Sequence, residues 1–227
     1  MVPSVVLSVL AWCVSMTNVQ VQRKDVLSPE EVDASLDRAD ELDPYSRLRA
    51  KALLSIFYKT GKRRREVATL ELDDLERKDD QLSITFTVVK KRKGHTVTKR
   101  RTKLISLDDP FAQHIIDYLE YMTEKHPNCR YLFPSTRSVF GAALHFYENK
   151  HISGRQVLRI MKSLNPECWC HLFRETVGAK IVRSDPTIMA PFRVMRRLDL
   201  ESHVTAFRYM QRYASDVIES EEKREQI

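Results

Sequence analysis

Glycine is nearly missing from this chain: five occur in 227 residues. A Gly-rich phosphate loop or a dinucleotide-binding turn needs several glycines close together, so that backbone can approach a pyrophosphate; both are disfavoured. Cysteine is scarce as well. Cys13, Cys129, Cys168 and Cys170 show no spacing of a disulfide framework, which fits an intracellular, cytoplasmic protein. Cys168-Trp169-Cys170-His171 lacks a second ligand pair at zinc-site spacing, so no metal and no other cofactor is expected. A membrane-spanning run is also lacking. Val2 to Val14 is almost wholly apolar, but it is too short to cross a bilayer and has no basic flank ahead of it. Ala11 to Ser15 makes a poor signal-peptide cleavage region, and Met16 is expected to be the true start.

What the chain has is apolar pattern and positive charge. Apolar residues make up 42 % and charged residues 30 %, the balance of a soluble globular protein with one good core. The formal net charge is +7. Positive charge clusters at Lys62 to Arg65, at Lys90 to Lys93, at Lys99 to Arg101 with Lys103, and at Arg193, Arg196 and Arg197. Acidic residues concentrate in 25–43 and 216–225. A basic middle between acidic ends suits a polyanion-binding face, nucleic acid first.

Apolar period and punctuation predict a mostly helical chain with one small antiparallel sheet. Ser28-Pro29-Glu30-Glu31 reads as a capping box that opens a helix. Asp43-Pro44 opens a second helix, which runs to about Tyr58 and ends at Thr60-Gly61. A short helix follows from about Arg64 to Leu72. Ile84, Phe86 and Val88 alternate with threonines, and Val97 to Leu107 returns as a partner strand: a long basic hairpin. Helices are predicted from Pro110 to about Lys125, after Ser153, and over 170–183, 187–197 and 201–218. Residues 136–152 show no clear period.

Four islands carry the chemistry: Thr60-Gly61-Lys62-Arg63-Arg64-Arg65-Glu66-Val67, the basic hairpin, His171-Leu172-Phe173-Arg174, and Thr205-Ala206-Phe207-Arg208-Tyr209. In this order the set resembles the tyrosine recombinase (phage integrase) family. That family opens its catalytic domain with Thr-Gly-x-Arg-x-x-Glu, continues with a hairpin lysine and His-x-x-Arg, and ends on a tyrosine. Leu132-Phe133-Pro134-Ser135 also resembles the family's loop before the helix preceding the second box. The resemblance covers about residues 27–215. It implies a DNA breaking-rejoining fold over 27–215, an N-terminal extension over 1–26 and a charged tail over 216–227.

It also implies roles. Two arginines, Arg63 and Arg174, can hold a phosphodiester by forked hydrogen bonds and stabilise charge on its non-bridging oxygens. Tyr209 matches the nucleophile; with a pKa near 10 it needs fixed positive charge and a base nearby. His171 lies three residues before Arg174, so both can face one phosphate, in acid–base or phosphate-contact work. A hairpin lysine can protonate the departing 5′-oxygen. Lys90 is chosen, with Lys91 and Lys93 in competition, and Tyr213 is the rival nucleophile. No metal is needed, because the phosphotyrosine link retains the bond energy.

Three features depart from the family pattern. Leu200 stands nine residues before the tyrosine, where Gly-His or a tryptophan replacement is usual; His203 lies nearby. The hairpin is longer than usual. The helical clamp domain that normally precedes the catalytic one is expected to be missing, because at most about 26 residues precede the first catalytic-domain helix; the chain reads either as a minimal enzyme or as a fragment separated from its partner half. The favoured function is a site-specific recombinase or integrase acting on double-stranded DNA as a homo-oligomer, with Val217 to Ile227 as an exchangeable tail. A DNA-binding protein without strand exchange and a type IB topoisomerase-like enzyme are the alternatives.

Overall fold

The computed structural model describes residues 26–92, 95–138, 144–185 and 187–214, with backbone alone at 90–92. Eight helices and two small antiparallel sheets make up these residues. The predicted mainly helical architecture holds.

Local chemistry sets most helix starts. Helix α1 (Pro29–Asp40) has the expected capping box: Ser28 Oγ accepts from Glu31 N at 3.3 Å, and Glu31 Oε2 accepts from Ser28 N at 2.9 Å. Helix α2 (Pro44–Thr60) is capped by Asp43 and ends at Gly61, whose φ of 61° is left-handed. A Cβ at Gly61 would lie 2.6 Å from Leu198 Cδ2, so this turn needs glycine twice over. Leu53, Leu54, Ile56 and Phe57 are all buried, and α2 forms the centre of the main core. It packs against α4 (Pro110–Lys125) and α6 (Cys170–Ser184), with the Phe57 and Phe173 rings stacked 5.6 Å apart.

The first sheet has the order β1 (Leu75–Lys78), β2 (Gln81–Arg92), β3 (His95–Ser106). Leu82, Ile84, Phe86 and Val88 form the buried face of β2. Register places Lys103 opposite Ile84, Arg101 opposite Phe86 and Lys99 opposite Val88. Directly paired residues share a face of a sheet, so the basic side chains of β3 project on the side of the β2 apolar row.

The structure differs from the sequence reading in the short elements. The helix expected over 64–72 splits into α3 (Arg64–Ala68) and a 3₁₀ turn at Leu72–Asp74. Residues in 136–152 supply a second hairpin, β4 (Pro134–Arg137) with β5 (His145–His151), bulged at Pro134/Ser135. Helix α5 (Gly154–Leu164) starts at the Ser153 cap as expected. Helices α7 (Ala190–Leu198) and α8 (His203–Tyr213) start a few residues later than predicted. The expectations for the first 25 residues and for the tail from Val217 to Ile227 lie outside the described residues.

A second, smaller core joins the last half of α6 to α7 and α8. It contains Val177, Ala179, Val182, Val194, Leu198, Tyr209 and Tyr213. The two cores meet along α6, and the fourth and third sequence islands come together there.

Candidate active site

Helix α6 organises the site. Arg174 is 2 % exposed, and its guanidinium donates from Nη1 to Gly61 O at 2.9 Å and from Nη2 to Leu198 O. These carbonyls end α2 and α7, where helix dipoles leave partial negative charge. Burial, and then the nearby Arg63 charge, push the Arg174 guanidinium below its ordinary value; Tyr209, Glu66 and Asp199 oppose that shift.

Arg63 sits at the start of α3, immediately after the left-handed Gly61 and Lys62. Its backbone N donates to Glu66 Oε2 at 3.1 Å and its Nη1 to Glu66 Oε1 at 3.0 Å. The Arg63 side chain is 46 % exposed against 8 % for Glu66. Glu66 therefore fixes the arginine from below while leaving donors of the fork free to meet an anion.

Tyr209 is buried on α8, and its ring lies against α6 at Gly178. A Cβ at Gly178 would fall 2.3 Å from Tyr209 Cε1 and 2.4 Å from Cδ1. The Tyr209 hydroxyl donates to Glu175 Oε1 at 3.2 Å, and the phenol also interacts with Arg174. Burial, and next the Glu175 carboxylate, push the phenol well above its ordinary value, with Arg174 opposing.

His171, at 54 % exposure, brings Nε2 to 3.1 Å from the same Glu175 Oε1. Tyr213 donates to Glu175 Oε2 at 3.0 Å. Burial raises the Glu175 carboxyl, but the hydrogen bonds from His171, Tyr213 and Tyr209 outweigh it, and the carboxyl is held below its ordinary value. Sequence reasoning missed Glu175. Its signal was present: it follows Arg174 directly and lies one helical turn after His171.

A second missed feature lies at the α7–α8 junction. Asp199 has a left-handed backbone, φ 50°. Its carboxylate takes Lys62 Nζ at 2.6 Å and Lys103 Nζ at 3.2 Å. Lys62 is 1 % exposed, with its ammonium 4.6 Å from the centre of the Phe86 ring. Lys103 also donates to Arg196 O at 3.0 Å. One carboxylate thus ties the first island, the hairpin and the hinge before α8.

Asp199→Asn is expected to destabilise the fold by about 3–5 kcal/mol, because two buried ammoniums lose their charge partner. A shift in the urea midpoint measures it. Burial raises the Asp199 carboxyl, but Lys62 and Lys103 outweigh it and hold it below its ordinary value. A depressed folded pKa gives stability that is present above the unfolded value near ~3.9 and lost as pH falls through the folded one. The wild-type midpoint should therefore fall more steeply than the variant's below about pH 4.

Of the remaining expectations, Lys90 occupies β2 opposite Val97. Its side chain and those of Lys91 and Lys93 lie outside the described residues. Leu200 packs onto the second core. His203 is exposed at the start of α8, with its ring edge-on to Phe192 at 6.3 Å, towards α7. Cys129, Cys168 and Cys170 are free thiols, and burial pushes Cys168 up to about 12. Among the described residues no group of three or more His, Cys, Asp or Glu could hold a metal ion. No helix among them is long and apolar enough to cross a membrane.

Comparison with known proteins bears on this arrangement. The model of the phage integrase family matches residues 25–214. Among solved structures, the XerH site-specific recombinase bound to difH substrate, a pre-cleavage complex, superposes with a TM-score of 0.56 at 18 % identity, over 85 % of this chain and 52 % of that one. The XerH post-cleavage complex with palindromic difH gives 0.58 at 19 % identity, over 89 % of this chain and 54 % of that one. The XerA recombinase gives 0.57 at 15 %, over 90 % and 67 %. This chain spans about half the length of the two XerH chains. At these identities the likeness is one of fold. A comparison with curated protein sequences finds no match. Because the family match runs through all four islands, from ahead of α1 to the end of α8, the chain belongs to the phage integrase family, the tyrosine recombinases.

Proposed function

We propose that the protein is a site-specific recombinase or integrase that cuts and rejoins double-stranded DNA through a 3′-phosphotyrosine on Tyr209. One observation carries this reading: the Tyr209 hydroxyl lies against Glu175 and Arg174, and His171 bonds the same carboxylate oxygen. In the proposed reaction Arg63 and Arg174 grip the non-bridging oxygens of the scissile phosphate. Tyr209 attacks phosphorus in line with the departing 5′-oxygen, and His171 works as an acid–base or phosphate-contact group beside them. Lys90, at the end of β2, gives the 5′-oxygen its proton. Residues 27–215 act as the catalytic domain. The Lys99, Arg101 and Arg196 groove between β3 and α7 contributes to the DNA-facing surface.

By analogy with XerH, whose structures carry difH substrate, the partner is duplex DNA. Strand exchange would use a homo-oligomer, with residues 217–227 as the exchanged tail, and the reaction would take place in the cytoplasm. Arg174 favours Tyr209 over Tyr213 as the nucleophile. Tyr213 lies instead against Arg183 and Arg212, whose guanidinium carbons are 5.6 and 5.7 Å from its ring centre.

A nicked, labelled suicide duplex tests the reading. Wild type is expected to form a protein–DNA adduct on a denaturing gel, and Tyr209→Phe none. An adduct that survives in Tyr209→Phe moves the nucleophile to Tyr213. DNA binding without any adduct makes the protein a non-cleaving binder, the reading favoured by Leu200, which stands where the family usually has histidine and packs, partly buried, onto the second core. Relaxation of a plasmid with no recombination site favours topoisomerase-like activity.

A further inference from the structure

We propose that Glu175 is the general base that accepts the phenol proton of Tyr209 during strand cleavage, an inference that rests on the recombinase reading above. A phenol that bonds to phosphorus must shed its proton, and the acceptor must stand within hydrogen-bond reach of the attacking oxygen. Arg174 meets the phenol, but a guanidinium has no lone pair to offer. Glu175 Oε1, 3.2 Å from the Tyr209 hydroxyl, does.

The surroundings keep this carboxylate available as a base. His171 Nε2 lies 3.1 Å from Oε1, and Arg212 Nη1 lies 3.9 Å from Oε2. Tyr213 donates to Oε2 at 3.0 Å. Tyr213 thus occupies one oxygen, and Tyr209 shares the other with His171. The hydrogen bonds from His171, Tyr213 and Tyr209, from α6 and α8, hold the carboxyl below its ordinary value. Glu175 and Gly178 are three residues apart on α6, so they share a helix face. One presents the carboxylate, and the other makes room for the ring it serves.

The step balances. The bond from Tyr209 Oη to phosphorus forms as the bond from phosphorus to the 5′-oxygen breaks. The phenol proton goes to Glu175 Oε1, and the 5′-oxygen leaves with the proton assigned to Lys90. In rejoining, a 5′-hydroxyl attacks phosphorus and gives its proton back to Lys90, while the bond from phosphorus to Tyr209 Oη breaks and Glu175 returns its proton to the departing phenolate.

A carboxylate that merely anchored α8 would have the same contacts; the near-isosteric Glu175→Gln separates the base from the anchor, and two substrates separate the base from the acid. Single-turnover adduct formation is followed on an ordinary suicide duplex and on one with sulfur in place of the bridging 5′-oxygen. Sulfur leaves without needing a proton, so it relieves defects of the acid and not of the base. Glu175→Gln keeps the shape and an acceptor oxygen but removes the basicity. It is expected to slow adduct formation about 10²-fold on both substrates, with unchanged affinity in a gel-shift assay. Wild-type or faster cleavage by Glu175→Gln overturns the proposal. So does a defect that sulfur erases, because that places Glu175 at the leaving group. If Glu175→Gln melts early, Glu175→Asp keeps the charge and withdraws the oxygen; slow cleavage of both substrates supports the proposal and wild-type rates overturn it. Absence of a Tyr209-dependent adduct with wild-type protein is a different result: it overturns the recombinase reading and this inference with it.

Discussion

Arg174→Lys should abolish measurable adduct formation and weaken the fold at the same time. Removing a single preorganised donor from a developing oxyanion slows reactions by about 10²–10³-fold, and here the whole fork is lost, so a fall of at least about 10³-fold is expected. The structural loss has a separate cause. The arginine bridges Gly61 O and Leu198 O, the carbonyls that end α2 and α7. A planar guanidinium can satisfy two carbonyls and still present donors to a phosphate; a lysine ammonium cannot span the same points. Each buried carbonyl left without a donor costs about 1–3 kcal/mol. Single-turnover cleavage and urea unfolding, run on the same variant, check both halves. Wild-type cleavage would remove Arg174 from the phosphate clamp. Lost cleavage with a wild-type urea midpoint would mean that the two carbonyl bonds contribute nothing to the fold.

Those two carbonyl bonds bear on what the sequence could reveal. His171 and Arg174 were legible because their spacing matches a motif, and Ser28, Asp43 and Ser153 were legible because caps are local chemistry. The Arg174 bonds to Gly61 and Leu198 were not, since they join residues 113 and 24 positions away. Nothing local marks Asp199 either. An aspartate after a helix is ordinary, and its worth comes from Lys62 and Lys103, 137 and 96 residues distant. The β4–β5 hairpin escaped for another reason. His145-Phe146-Tyr147-Glu148-Asn149-Lys150-His151 has no apolar alternation, because no β5 residue is fully buried. Its partner strand starts at a proline beside a bulge.

Gly178→Ala makes the case for geometry over chemistry, since it changes no functional group. Gly178 lies inside α6, where alanine is intrinsically better than glycine by about 1 kcal/mol. On helix propensity alone the substitution should stabilise. The added methyl, however, would sit 2.3–2.4 Å from the Tyr209 ring, and the ring must retreat by more than 1 Å to restore ordinary contact. The Tyr209 hydroxyl would then leave Glu175 and its approach to the phosphate. A misplacement of about 1 Å can slow a reaction 10²-fold, so cleavage should fall by at least that much. The fold should survive, with any loss of stability measuring the clash after the helix gain is offset. Adduct formation on the suicide duplex, set beside thermal unfolding, reads both quantities. DNA affinity should hold, because the basic side chains of β3 lie on another element. A wild-type cleavage rate in Gly178→Ala would mean that Tyr209 cleaves from a position other than the one it occupies against α6, and the hydroxyl's contact with Glu175 would then belong to a resting state.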